Sequence, residues 1–325
     1  MEETRKVHLM YGGLLFLAAL ITLVAYISFR SRADSNTSLS TSASVGNSAP
    51  TLGTVYVNTT GSTNSQTDPI TPADGTTKTV YVNGTYTDLN GCREVASSTL
   101  GGVKAAFYRS GASGGFNCSA DNNNCYQVAT STCVISGCDS SSDTDASYSC
   151  TLSLQYYADR TDGSPYTAQT WVGNVRVMDQ SLDNNSDSST APEVATLLAL
   201  DIPSSLNFGS LSVGALSSIN TVSPFINNGN ATTLQPELNA TAASFVCTTG
   251  TIAIGNLMYS SSSVFAATNT MTTGQVEATL NLHAYTVADA ANYPGTTSTY
   301  WRLQMPAAGG YAGTCTATVT AVATE

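Results

Sequence analysis

Charged residues make up 10% of this 325-residue sequence, against roughly a quarter in an ordinary soluble domain. Serine, threonine, asparagine and glycine must supply the water-facing surface instead, which suits an extracellular β-protein better than a cytosolic enzyme. Histidine is scarcer still. His8 lies beside an apolar run and His283 stands alone, so zinc sites lack imidazole ligands and a Ser-His-Asp triad would have to use His283 as its base. Alternation around His283 puts it on the solvated face of a strand, where it reads as a surface residue. No C-x-x-C pair occurs, which removes thioredoxin-like redox chemistry and paired-cysteine zinc sites. The glycine-rich run Ser110–Gly115 follows a strand pattern but precedes no helical one, so it reads as a hairpin turn and not as a nucleophile elbow.

Positive charge is also short. The formal net charge is −11, and beyond residue 32 seven basic residues face twenty acidic ones. A surface this acidic repels phosphate backbones and anionic headgroups, which excludes nucleic acid as a partner.

One apolar run stands out. Leu9–Phe29 carries no charge, and at ~1.5 Å per residue its roughly 21 residues match a hydrocarbon core of ~30 Å. The expectation is a transmembrane helix over residues 9–29 with residues 1–8 in the cytoplasm. A cleaved signal peptide is the rival reading, since Ser31 and Ala33 are small. Against it, the run is longer than the usual ~7–15 residue apolar region, and Arg30 and Arg32 sit where a cleavage region is uncharged. Two basic residues on each side leave orientation tied by charge.

Cysteine breaks the tie. There are eight, all after the apolar run, at spacings that suit neither zinc nor redox motifs, so disulfides in an oxidising compartment are expected, with the bulk of the chain outside the cell. Cys92, Cys118, Cys125, Cys133, Cys138 and Cys150 fall in the first half and Cys247 and Cys315 in the second. Six cysteines allow about 15 connectivities. Short-loop geometry favours Cys118–Cys125, Cys133–Cys138 and Cys92–Cys150, and Cys247–Cys315 has no competitor if the halves are separate.

Residues 30–52 are Ser/Thr-rich and aperiodic, the composition of a flexible stalk. Beyond them the pattern is strands. Tyr148, Cys150, Leu152 and Leu154 alternate with polar residues, as do Val276, Ala278, Leu280, Leu282 and Ala284, and Cys315, Ala317, Val319 and Ala321. Further strands are expected from Thr79, Gly102 and Trp171. No helical stripe competes, and turn residues punctuate the strands. The expected fold class is all-β, two antiparallel sandwiches over residues 53–185 and 186–325. The polar stretch Asp179–Glu193 is taken as the boundary.

Several segments resemble immunoglobulin-type domains. "DTDASYSC" is similar to their strand F, with Tyr148 two residues before Cys150, and "VKAAFYRSG" resembles strand C with Phe107 in place of the buried tryptophan. Cys92 departs from the pattern by following the turn-like "DLNG". "LNFGSLSVG" and "FINNGNATTLQPEL" resemble Ig-like repeats of surface proteins with an F-G-x-L-x-V-G strand pair and an N-x-G-N turn, matching at Phe208, Gly209, Val213, Gly214, Asn228 and Asn230. The arrangement is similar to uncharacterised N-terminally anchored surface proteins of small-genome bacteria. That resemblance implies a place at the cell surface and no particular activity.

Asp139, Asp143 and Asp145 offer oxygen ligands suited to calcium. Thr144 and Cys150 occupy the places of the EF-hand glycine and glutamate, and a solvated acidic turn is the plainer reading. No other cofactor is expected. Sequons at Asn36, Asn58, Asn83, Asn117, Asn184, Asn230 and Asn239 permit glycosylation. Tyrosines such as Tyr108, Tyr157 and Tyr166 could present a sugar- or protein-binding face. The function expected is that of a single-pass, membrane-anchored extracellular structural or adhesive protein and not an enzyme. Its partners would be the membrane through residues 9–29, surface proteins or glycans, and further copies of itself. A surface-filament subunit and a surface hydrolase are the rivals.

Overall fold

The structure, a computed structural model, describes residues 2–30, 42–96, 102–181, 184–221, 225–265, 269–274, 276–277, 282–283 and 295–325. Residues 1–46 form one compact unit and residues 47–325 another.

The first unit holds the helix Glu2–Arg30. Its side chains are described at 11–26, and Leu14, Leu15, Phe16 and Leu17 are all exposed. Among the described residues no helix is long and apolar enough to cross a membrane. The expected span 9–29 lies within this helix, and its ends fall where side chains are not described.

Of the expected stalk, residues 31–41 lie outside the described residues. Its last part is not free. The folded unit begins at Asn47, and Thr51–Leu52 already pairs with residues 86–87 of a strand, Thr77–Thr87.

Two antiparallel sheets make the first sandwich. In one, Thr51–Leu52 and Tyr56–Asn58 line one edge of Thr77–Thr87, which pairs with Asp145–Gln155, which pairs with Cys133–Ser136. In the other the order is Cys125–Val128, Gly102–Arg109, Trp171–Met178 and Asn184–Ser188. Alternation dictates the faces. Val80, Val82, Tyr148, Cys150, Leu152 and Leu154 point inward from one sheet, and Val103, Ala105, Phe107, Trp171, Val175 and Val177 from the other. Phe107 stacks on Trp171 with ring centroids 4.8 Å apart, and the indole N–H donates to the Asp159 carbonyl at 2.8 Å. Such an aromatic pair adds about 0.5–1.5 kcal/mol beyond its buried area.

The strand-F likeness of Tyr148 and Cys150 does not hold here. Tyr148 Oη is buried with no hydrogen-bond partner, and it is Tyr86 whose hydroxyl reaches a backbone carbonyl, that of Cys92, at 3.0 Å. The expected boundary also moves. Asn184–Ser188 is fully exposed yet pairs along Trp171–Met178 as an edge strand, because backbone pairing at an edge needs no apolar side chains. The first core runs on to Val194, and the second begins at Leu200.

That second core gathers Phe225, Leu234, Leu238, Phe245, Leu257 and Trp301 from short antiparallel sheets. The strand Thr233–Ala240 pairs with Val319–Thr324 over six registers and with the two-residue strands Val276–Glu277 and Leu282–His283. Of the expected strand 276–285, Leu282 is buried as alternation requires. Ala278, Leu280 and Ala284 and the His283 side chain lie outside the described residues. Cys315, Ala317, Val319 and Ala321 pack against the core as expected. Phe208–Gly214 is not the strand pair its likeness implied: Ile202–Leu211 has no regular structure and presses Ile202, Leu206, Phe208 and Leu211 onto the core.

The two halves meet at a buried asparagine. Asn230 is 4% exposed, and its amide donates to the carbonyls of Ala158 and Ala195 at 3.0 Å while its Oδ1 accepts from the Leu197 N–H at 2.6 Å. Arg160 adds an ion pair to Glu325.

Close approach fixes one glycine in the first sandwich. A Cβ at Gly84 would lie 2.8 Å from the Thr54 carbonyl and crowd the Tyr148 hydroxyl as well. Gly84→Ala should therefore cost about 1–3 kcal/mol through overpacking, measured by urea unfolding; a neutral effect would show that the strands have room there.

Candidate functional site

All eight cysteines are oxidised in pairs and none is free. Cys118–Cys125 joins as the short loop suggested, and Cys247–Cys315 as the pair without a competitor in the second half. The other four differ. Cys133 pairs with Cys150 and Cys92 with Cys138, in place of Cys133–Cys138 and Cys92–Cys150. Strand register explains the exchange: Cys133 lies directly across from Cys150. Cys133 and Cys138, an odd number apart, would point to opposite faces of one strand. Cys138 instead lies past the strand end, where the loop carrying Cys92 comes close; the Cys92 N–H donates to the Asp143 carbonyl at 2.9 Å, and the Arg93 guanidinium to the Asp139 carbonyl at 2.8 Å.

The acidic loop behaves as a turn. Asp143 accepts from the backbone N–H groups of Ser140 and Asp139 at 2.8 and 2.9 Å and from the Ser140 hydroxyl at 2.8 Å. These bonds, those from Ser140 foremost, hold its carboxyl below the usual range. Asp145 accepts from the Thr87 hydroxyl. Asp139, Asp143 and Asp145 do not bring three carboxylate oxygens within 4.8 Å of one another. Among the described residues, the carboxylates close enough to share an ion are Asp88, Glu94 and Asp179, a set the sequence reading missed. Residue 179 lies far along the chain from 88 and 94, so no spacing pattern marks it.

A charged pair lies at one end of the first sandwich. Arg109 Nε donates to Asp159 Oδ2 at 2.9 Å, and its guanidinium sits 3.7 Å over the Tyr166 ring. Burial outweighs the attraction of Arg109 and raises the Asp159 carboxyl to about 6. The folded chain then holds this proton more tightly than the unfolded chain does. The contribution of Asp159 is full below about pH 4 and is lost as pH rises through about 6. Asp159→Asn should remove on the order of 2–3 kcal/mol of pH dependence between those limits, read as the difference between urea-unfolding profiles; parallel profiles would refute it.

In the second half, a cavity of about 850 Å³ lies between the Ile202–Leu211 segment and the core, against Phe225, Leu238, Trp301 and Met305. Among the described residues that line it none is titratable, and those residues offer apolar, hydroxyl and amide contacts.

The sequons divide by burial. Asn58, Asn83 and Asn230 are at most 4% exposed and donate to backbone carbonyls. Asn239 is half-buried with its Oδ1 sealed, and Asn36 lies outside the described residues. Asn117 and Asn184 are exposed. Expressed in a host that glycosylates sequons, the folded chain should carry glycans at Asn117 and Asn184 and none at Asn58, Asn83 or Asn230, as read by peptide mass spectrometry; occupancy at a buried site would contradict the fold.

No protein-family model and no curated protein matches this sequence. The likeness to anchored surface proteins therefore rests on the quoted residues. Among solved structures, the chain is similar to dimeric latent PorU from Porphyromonas gingivalis, at 12% identity and a TM-score of 0.26, covering 85% of this chain and 20% of that one. It is also similar to BspA_C_mut, at 10% identity and a TM-score of 0.21, covering 84% of this chain and 97% of that one. Both scores are too low for either likeness to carry an argument. The chain spans a fifth of the PorU chain that it matches.

Proposed function

We propose that this chain is an extracellular surface protein, anchored through residues 9–29, in which disulfide-stapled sandwiches serve a structural or adhesive role. The observation that carries the reading is the closure of all eight cysteines into four disulfides, which persist in oxidising compartments and are rare in the cytosol.

An immunoglobulin-like reading of the first sandwich is supported by its strand order. Lettered along the chain, the strands are A at 51–58, B at 77–87, C at 102–109, C′ at 125–128, D at 133–136, E at 145–155, F at 171–178 and G at 184–188. One sheet is then A-B-E-D and the other C′-C-F-G, the division that such sandwiches share. Tyr148 and Cys150 fall on strand E in this lettering, and the buried Trp171 on F facing Phe107 on C.

The anchoring reading rests on the uncharged run Leu9–Phe29 of the sequence, which falls in the helix Glu2–Arg30. Four consecutive exposed residues, Leu14 to Leu17, stand about 100° apart and so cover its whole circumference, as in helices surrounded by apolar material. Binding to surface proteins, glycans or further copies would fall to loops and edges held by the rigid sheets. Tyr156 and Tyr157, in edge-on contact at 4.9 Å, and Tyr166 on Arg109 provide half-buried aromatic surface in the loop after strand E.

Labelling intact cells with a membrane-impermeant maleimide tests compartment and topology together. No labelling before reductant and labelling after it is the expected result. Labelling without reductant, or only after lysis, would overturn the reading.

A further inference from the structure

The loop after the Thr77–Thr87 strand and the short helix Arg93–Ala96 that ends it bring Asp88 and Glu94 beside Asp179, which follows Trp171–Met178, and one carboxylate oxygen from each lies within 4.8 Å of the others. Asp88 and Asp179 are 0% exposed and Glu94 is half-buried. The two buried carboxylates are held from behind. Asn90 N–H donates to Asp88 Oδ1 and Ser181 N–H to Asp179 Oδ1, each at 2.9 Å, and the Asn47 amide donates to Asp179 Oδ2 at 2.7 Å. Asp88 Oδ2 is different: it is sealed from solvent and accepts no hydrogen bond. Buried polar atoms are nearly always partnered, and an unpartnered carboxylate oxygen costs more than a neutral one.

Two sealed carboxylates with a third at the rim cannot all stay ionised without a counter-charge. Either a proton or a cation must sit among them. All three side chains are hard oxygen donors, which select calcium or magnesium over zinc. Calcium, with bonds of about 2.3–2.6 Å and flexible geometry, suits oxygens spread this far apart. Magnesium needs a tight octahedron at about 2.1 Å and keeps most of its waters.

We propose that Asp88, Glu94 and Asp179 form a calcium site in the first sandwich, with half-exposed Glu94 as the ligand through which the ion exchanges. The site fastens three stretches of chain. Asp88 and Glu94 come from the loop and short helix pinned by Cys92–Cys138, Asp179 from the end of a central strand, and the entering segment is tied in through Asn47 and through Ser48, whose N–H donates to Asn90 Oδ1 at 2.7 Å. Calcium binding there couples the point of chain entry to the disulfide frame.

The test uses the purified full-length chain, stripped with EDTA and titrated with calcium alone and with magnesium alone, followed by calorimetry and thermal unfolding. One calcium per chain is expected, with a Kd of roughly 10⁻⁴–10⁻³ M as in extracellular modules and about 2–4 °C of stabilisation at ten times Kd. Magnesium should bind at least about tenfold more weakly. Asp179→Asn should abolish binding, and Glu94→Gln, at the rim and safe for folding, should weaken it roughly fivefold or more. Asp88→Asn discriminates the ion from a shared proton. In EDTA it should be at least as stable as the parent, because a buried charge is gone, and calcium should add nothing to it. Asp143→Asn should bind like the parent. No uptake at millimolar calcium, loss of binding in Asp143→Asn, or an undiminished calcium response in Asp88→Asn would each overturn the site and leave the compartment reading intact.

Discussion

Covalent cross-links at sheet edges and loop ends are the constraint on which this fold depends. Cys133–Cys150 and Cys247–Cys315 each join residues that already face one another across antiparallel strands, so they lock register in the two cores. Cys118–Cys125 and Cys92–Cys138 close loops. A chain with 10% charged residues has few ion pairs with which to hold loops in place, and the described salt bridges are Arg109–Asp159 and Arg160–Glu325. In the chain-entropy account, closing loops of 46 and 68 residues stabilises by about 4 kcal/mol each. That is a large fraction of a typical net stability of about 5–15 kcal/mol.

The two halves use this frame differently. The first builds two sheets with long registers, the 77–87 and 145–155 strands pairing over their full length, around the Phe107–Trp171 stack. The second is assembled from short strands and closes one side of its core with the strandless segment Ile202–Leu211. Asn230 joins them because every polar atom of its side chain finds a backbone partner in the joint. A buried amide satisfied in this way fixes orientation more sharply than apolar contact, whose attraction is not directional.

Legibility followed the kind of signal. The strands 145–155 and 171–178 could be read because period-two alternation reports burial directly. The edge strand 184–188 could not, since all five of its side chains face water and only its backbone is engaged. For the same reason Asp179–Glu193 looked like the domain boundary. The strand pair expected at Phe208, Gly209, Val213 and Gly214 rested on a likeness to an F-G-x-L-x-V-G pattern, and among the described residues no neighbouring edge takes up the backbone of Phe208 or Gly209. Among the carboxylates, Asp139, Asp143 and Asp145 drew attention by being close in sequence, and local N–H and hydroxyl donors satisfy Asp143 and Asp145. Asp88, Glu94 and Asp179 had no such mark.

Composition and pattern by themselves determined the all-β class, the oxidised state implied by eight cysteines without metal spacings, and the inward faces of the long strands, because each of these is set by residue type and local periodicity. The tertiary structure alone decided which cysteines pair, where the first core ends, and which acids meet. Those outcomes depend on register and on the return of distant segments to one place, and the spacing of residues along a chain carries no direct record of either.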